Sequence, residues 1–411
     1  MTSTKRRIHM DNVPKESVVE KCLELLNLKN FRHPFVDHGS KKLLTGAAIM
    51  LLVEAELRKH KSLSFIEKNL RSSSVVQELT GLDSINASTI NRKIGRLPFD
   101  LLQNICMDIF KKIDDHFTGK NPITTPLGPL SIVDSSQIAL PSKAGEWAYC
   151  SKDSNTIKIH LKLSFINDKI TYPKQVIFST GAVDDKEVVL QLVTDKDTTH
   201  VMDRGYIQYH HFHYWNTEGI LFVARVKANS KFRVLNIHSE PEDSFIKLDA
   251  DVEVKDLKTQ ELFTLRLVEY RDDQNRSYRI LTNRWDLSAQ EIADIYKRRW
   301  KIELFFKWIK QNLNTVKLYC YKPEAVWNQV CLTMIAYGLV QLVKIQTETT
   351  KDSREVVELL RIYWDKSWSE FLKELYREPT RKSKGRKKKG KPGRPRKHPK
   401  VMKAKKIIIN A

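Results

Sequence analysis

The sequence predicts an α/β protein: an all-helical N-terminal unit, then an α/β unit that carries a β-rich insertion. Three observations predict it. Apolar residues recur at helical intervals as far as about residue 120. Period-two alternation then takes over, most plainly in Thr156–Ile166, TIKIHLKLSFI. A run of β-type segments separated by turn residues fills about 207–287 before helical spacing returns.

Length and charge bound the function. The 411 residues can bury a large core and hold more than one domain, with 41% hydrophobic residues. The formal net charge is +22, from 71 cations and 49 acids. Fifteen of those cations lie in 381–411, where there is no acid, so the rest of the chain carries 56 cations against 49 acids. Such a tail fits an anionic polymer as partner. The five cysteines (Cys22, Cys106, Cys150, Cys320, Cys331) form no C-x-x-C pair, which argues against a disulfide framework or zinc site and fits a reducing cytosol. The apolar run from Gly46 meets Glu54 and Glu56 too early to span a membrane, so no membrane partner is expected.

Residues 1–120 read as helices at Ser17–Leu26, Leu43–Lys59, Ser62–Leu70, Ser84–Leu97 and Leu101–Phe117. The fourth bears Asn91, Arg92, Lys93 and Arg96, so this unit either only packs or lays a basic helix on DNA. An α/β unit is expected over 121–323. Leu130–Asp134 reads as a short strand ending in an acid, followed by Ser135 and Ser136. Strands at Thr156–Ile166 and Tyr172–Ser179 and a helix at Ala182–Val193 come next, and His200–Asp203 again ends in an acid before a turn. An Asp at a strand end is often only a cap. Two of them, with an acid on a later helix, form a pattern.

That helix is expected over Glu291–Leu313, opened by a Ser288/Glu291 capping box. Ile295, Ile302, Phe306, Ile309 and Leu313 make its apolar stripe. Beside the stripe, also at helical spacing, stand Tyr296, Arg299, Glu303, Lys307 and Lys310. One carboxylate among basic and phenolic groups can hold a metal while its neighbours grip phosphate oxygens, though solvated i,i+4 pairs would give the same pattern. Residues 324–378 read as two helices, Glu324–Thr347 and Ser353–Glu374. Residues 379–411 read as a basic disordered tail whose KPGRPRK resembles part of an AT-hook.

The spacing Tyr296-x2-Arg299-x3-Glu303-x6-Lys310 resembles the Tyr-Arg-Glu-Lys signature of bacterial DDE transposases of the insertion-sequence-four type, the cut-and-paste group. Asp203-Arg204-Gly205-Tyr206 is similar to that family's second acidic element, and Asp134-Ser135-Ser136 to its first. The likeness runs from about residue 30 to 318. It implies an RNase H-like catalytic fold with Asp134, Asp203 and Glu303 as catalytic acids holding two Mg²⁺ ions, for which Mn²⁺ would substitute. It implies DNA contacts at Tyr296, Arg299, Trp300, Lys307, Lys310, Arg204 and Tyr206. Trp300 would serve as a platform for a flipped base, with Tyr278 or Trp285 as a second aromatic. The partners would be double-stranded DNA, as element end repeats and target, and a second copy of the chain in a synaptic complex. The setting would be bacterial cytoplasm, on the nucleoid. An RNase H-like nuclease or a catalytically silent DNA-binding regulator are the alternatives.

Overall fold

In the computed structural model, residues 16–117, 127–152, 154–167, 170–239, 245–313 and 317–378 are described. The basic tail and its KPGRPRK segment lie outside them. Six helices come first among the described residues: α1 (Val18–Glu24), α2 (Thr45–Arg58), α3 (Leu63–Ser72), α4 (Ser74–Thr80), α5 (Ala87–Ile94) and α6 (Phe99–Phe117). Local chemistry starts half of them. Ser17 and Glu20 form a capping box on α1, and Ser62 and Ser73 cap α3 and α4. α2 follows Leu44, which cannot cap. Instead the Asp37 carboxylate accepts the Thr45 amide (2.9 Å) and hydroxyl (2.9 Å) and the buried Lys93 ammonium (2.5 Å). Lys93, expected on a DNA-facing surface, is therefore spent inside the fold, whereas Asn91, Arg92 and Arg96 are exposed.

The strands are β1 (Leu130–Leu140), β2 (Tyr149–Ser151), β3 (Ser154–Asn167), β4 (Ile170–Thr180), β5 (Thr199–Met202), β6 (Phe222–Arg225), β7 (Arg233–Ser239), β8 (Ile246–Lys255), β9 (Leu262–Arg271) and β10 (Ser277–Thr282). They join in one mixed sheet, ordered β2-β3-β1-β5-β6-β10-β9-β8-β7, with β4 also on β3. β1, β5 and β6 are parallel neighbours and the other pairings are antiparallel. The strand run read between the second and third acids thus extends the same sheet through the β6–β10 pairing. Between β4 and β5 lies α7 (Asp185–Leu192), with an Asp184/Glu187 capping box. Between β5 and β6 lies α8 (Tyr209–Glu218), a helix that the aromatic and histidine-rich YHHFHYWNTE does not betray by its periodicity.

α9 (Ala289–Lys297), α10 (Trp300–Asn312), α11 (Pro323–Thr347), α12 (Ser353–Ile362) and α13 (Trp368–Leu375) complete the described residues. The sheet separates two apolar cores, and successive residues of a strand enter different ones. Ile132 and Val201 join the helices α9 and α10 on one side. Val133 and Met202 join α7 and α8 on the other. α11 is long and apolar enough to cross a membrane, but 78% of its most apolar window is buried within the fold, where α2 and α6 pack on it. The helix expected over Ser353–Glu374 is two. The chain breaks between α12 and α13 because the carbonyls of Trp364 and Lys366 turn to accept the first amides of α1, Val19 (3.1 Å) and Val18 (2.9 Å), which have no partner within their own helix.

Candidate active site

β1 was expected to end at Asp134 but runs on to Leu140, because β3 pairs with it along its whole length. What stops at Asp134 is the parallel partner. The β1–β5 register ends with Val133 opposite Met202, so Asp134 and Asp203 are each the next residue after the last parallel pair. They sit at the carboxyl ends of two adjacent parallel strands, the position at which open α/β sheets expose a crevice. Each is locally fixed: Asp134 Oδ1 accepts the Ser135 amide (2.8 Å) and Asp203 Oδ1 accepts the Arg204 amide (2.8 Å). Two residues after Ile132, Asp134 belongs to the α9/α10 face.

Above that face the single helix expected over Glu291–Leu313 is two. The capping box at Ser288 and Glu291 forms as expected. At the junction the amides of Arg298, Arg299, Lys301 and Ile302 bond to carbonyls three residues back (3.0–3.1 Å), a tightened turn that ends α9 and starts α10. The apolar stripe is buried on both sides of it. Arg299 stands at the break and reaches two acids at once: Nη1 donates to Asp134 Oδ2 (3.1 Å) and Nη2 to Glu303 Oε1. One turn earlier the Tyr296 hydroxyl donates to Asp203 Oδ1 (3.0 Å). Five expected site residues thus meet from two strand ends and the α9–α10 segment, which are far apart in sequence.

The others stand further off. Lys310 Nζ donates to the Gln137 carbonyl (3.1 Å) on the outer part of β1. Lys307 and Arg204 are exposed, and Trp300 is 58% exposed with its ring in solvent. Tyr206 is buried below the acids. Tyr278 stacks on Tyr270 (5.0 Å) beneath Arg225 and packs beside Tyr296, so it is already sandwiched by protein. Trp285 is half exposed and donates from Nε1 to Asp251 (3.0 Å).

Burial pushes the Asp134 carboxyl up to about 6; the Ser135 amide and Arg299 pull it down, and Asp203 and Asp185 push it up further. Burial also raises the Tyr296 phenol, with Asp203 adding to the effect. Burial disfavours the charged Arg299, but Tyr296, Asp203, Glu303 and Asp134 outweigh it and keep the guanidinium firmly protonated. Among the described residues no three His, Cys, Asp or Glu side chains stand ready to hold a metal ion. At the triad the cation between the carboxylates is Arg299. An all-carboxylate donor set neutralised by a cation fits a hard divalent ion once the guanidinium turns away.

Asp185 was not among the expected site residues. The strand register sets Ser135 opposite His160, on the α7 face of the sheet. Asp185 meets Lys158 (3.3 Å) and His160 (3.4 Å) there, and burial, which would raise its carboxyl, is outweighed by the nearby His160, Ser135 and Lys158, which hold it low. Lys158 and His160 lie in the strand that its alternation predicts, but Asp185 was hidden in an ordinary helix start, Asp184-Asp185-Lys186-Glu187.

Two acids at parallel strand ends and a third on a helix above them define an acid-centred α/β site, and comparison supplies its class. Residues 125–339 match the family described as Transposase DDE domain, more than half of the chain, and the chain belongs to that family. Over 335 residues it is 28% identical to "Probable transposase for insertion sequence element IS5377" of Geobacillus stearothermophilus, covering 77% of this chain and 87% of that one. It is 28% identical to "Putative transposase y4zB" of Sinorhizobium fredii, over 52% of this chain and 60% of the other. It is 26% identical to "Putative transposase for insertion sequence element IS4SA" of a Synechocystis species, over 57% and 72%. Membership makes the protein a DNA-binding transposase, an enzyme class that cleaves and joins DNA and generally uses divalent metal.

Proposed function

We propose that the protein is a cut-and-paste transposase of the insertion-sequence-four type, with an RNase H-like catalytic unit. It cleaves DNA at its element's terminal inverted repeats and joins the 3′ ends to target DNA. The observation that carries this reading is the Arg299 bridge from Asp134 to Glu303, with Tyr296 on Asp203: two residues of one spaced signature, Tyr296 and Arg299, engage all three acids. A helix whose charges merely faced solvent would not reach across to two strand ends. Helices 1–120 are proposed to help bind the element ends, and two copies to act together in the synaptic complex.

Asp134, Asp203 and Glu303 would hold two divalent ions, Mg²⁺ or Mn²⁺, which supply an activated oxygen nucleophile and charge on the leaving oxygen in an in-line displacement. The chain's own residues bind and orient. Arg299, freed from the carboxylates, can grip a phosphate through two N–H groups. Tyr296 donates a hydrogen bond from the next turn, and Lys310 and Lys307 add charge further along the same helix. In the first step a water oxygen displaces the 3′ oxygen of the element end. The freed 3′-hydroxyl then attacks a target phosphodiester, forming a bond to its phosphorus as the P–O3′ bond breaks and a target 3′-hydroxyl leaves. Trp300, exposed beside Arg299, is proposed as the surface on which an unstacked base rests.

A denaturing gel tests the reading, using DNA with the gene's flanking terminal repeats, Mg²⁺ or Mn²⁺, and wild type against Glu303→Gln. End-specific nicks, hairpins or joined products from wild type, with binding alone from the variant, are expected. DNA bound by wild type but never cut, or a variant that cuts equally well, would overturn the assignment in favour of the silent regulator. Cleavage without strand transfer would favour the nuclease.

A further inference from the structure

Arg204 lines two adjoining cavities, of about 600 Å³ and about 480 Å³, immediately beyond Asp203. Lys186, Lys227 and Lys258 also line the first, and Arg225 and Arg279 the second. The second holds one acid, Glu269, and Arg279 already bonds it (2.6 Å). Lys186 lies 3.8 Å from Asp184. Among the described residues, Arg204, Lys227 and Lys258 have no acid partner.

The two lysines stand on braced turns. Lys227 opens a turn closed by the Ser230 amide on its carbonyl (3.1 Å), and Arg279 Nη1 donates to the carbonyls of Ala228 (2.9 Å) and Ser230 (2.6 Å) within it. Lys258 lies in the β8–β9 turn. There the buried Asp256 carboxylate accepts the amides of Lys258 (2.8 Å) and Thr259 (3.3 Å) and meets Nδ1 of His210 (2.9 Å) and His213 (3.1 Å), which ties the turn to α8. Lysines that serve only solubility need no such bracing. Turns whose backbone is already fixed have less left to order when an anion meets the lysines they carry. They come from separate segments around two joined spaces and do not converge on one point, which suits a row of phosphates better than a single small anion.

We propose that these cavities form one groove that binds the sugar–phosphate backbone of a DNA strand running away from the three acids, with Arg204, Lys227 and Lys258 as its phosphate contacts. The proposal rests on the transposase reading for the identity of the polyanion. Its test needs no cleavage. Full-length Glu303→Gln is mixed with a duplex carrying one element end, and lysine acetylation is read by mass spectrometry with and without DNA. Lys227 and Lys258 are expected to be protected, and the exposed Lys366 and Lys373 of the C-terminal helices are not.

In the same background, Lys227→Gln with Lys258→Gln is expected to weaken binding and to flatten the log–log salt dependence by about 2. The control pair Lys366→Gln with Lys373→Gln removes equal charge and leaves the slope unchanged. Full reactivity of Lys227 and Lys258 in the complex, or an equal slope change from the control pair, overturns the groove. An enzyme that cuts element ends while both lysines stay reactive keeps the transposase reading and loses only the groove. Protection of both lysines in a chain that never cuts keeps the groove and loses that reading.

Discussion

Arg299 does at this site what a bound cation would do, because two carboxylates around it are partly shielded from water and need a positive charge. Arg299→Ala should therefore lower stability without metal by about 1–3 kcal/mol, less than a fully buried pair because Glu303 is 36% exposed. The same variant should gain more melting temperature than wild type on adding Mg²⁺, since the carboxylates are no longer occupied; thermal scans with and without metal read both effects, and an equal gain would contradict the account. Glu54 is a second residue whose charge is decided by its surroundings. Burial raises its carboxyl to about 7, although Arg58 and the Asn69 amide act against this. Between 4.5, its ordinary value, and about 7 the folded chain holds a proton that the unfolded chain lacks, so this group's contribution falls as pH rises through that window. Glu54→Gln should then be close to neutral at pH 4 and stabilising by about 1–3 kcal/mol at pH 8, as measured by urea unfolding at both values. The spacing of Tyr296, Arg299 and Glu303 was legible in the chain. That Arg299 would be shared between two acids was not, since one of them lies 165 residues away.

Helix starts are the elements that sequence predicts best, because a cap is local chemistry. The boxes at Ser17 and Ser288 need only residues within three positions. Helix breaks were missed for the opposite reason. The break between α9 and α10 keeps both apolar stripes in phase with the core, and the break before α13 is made by amides from the start of the chain. The α6–α11 contact is equally non-local. Gly338 of α11 lies so close to α6 that a β-carbon there would sit 2.4 Å from Ile109 Cγ2. Alanine gains about 1 kcal/mol in helix propensity, but forcing the two helices apart costs about 1–3 kcal/mol. Gly338→Ala should be net destabilising, and a midpoint in urea at or above that of wild type would show that the helices can separate without cost.

At the scale of the molecule, α11 explains why helices from both ends of the chain share one core. It follows the third acid in sequence, yet it packs chiefly on α6 and α2. A chain starting at residue 121 would leave that apolar helix uncovered. Such a fragment is expected to aggregate or bind hydrophobic dye strongly on expression, whereas a soluble fragment with a cooperative melt would mean that α11 finds cover elsewhere. The strand run between Asp203 and Glu303 has a matching consequence. Because β10 joins β6, the segment continues the sheet that carries the acids and is tied to β5 and β6 through backbone hydrogen bonds.

What the sequence determined by itself was everything set by near neighbours and fixed intervals: the alternating strands, the capped helix starts, the apolar stripe of α9 and α10, and the three acids with their spaced partners. What only tertiary structure decided was which groups meet. β1 runs past Asp134 because β3 supports it, Lys93 turns inward because Asp37 is there to receive it, and Asp185 joins the site through a cross-strand register that places His160 opposite Ser135. Periodicity records the direction in which a side chain faces, whereas charge compensation depends on what lies across the gap, and that partner comes from another part of the chain.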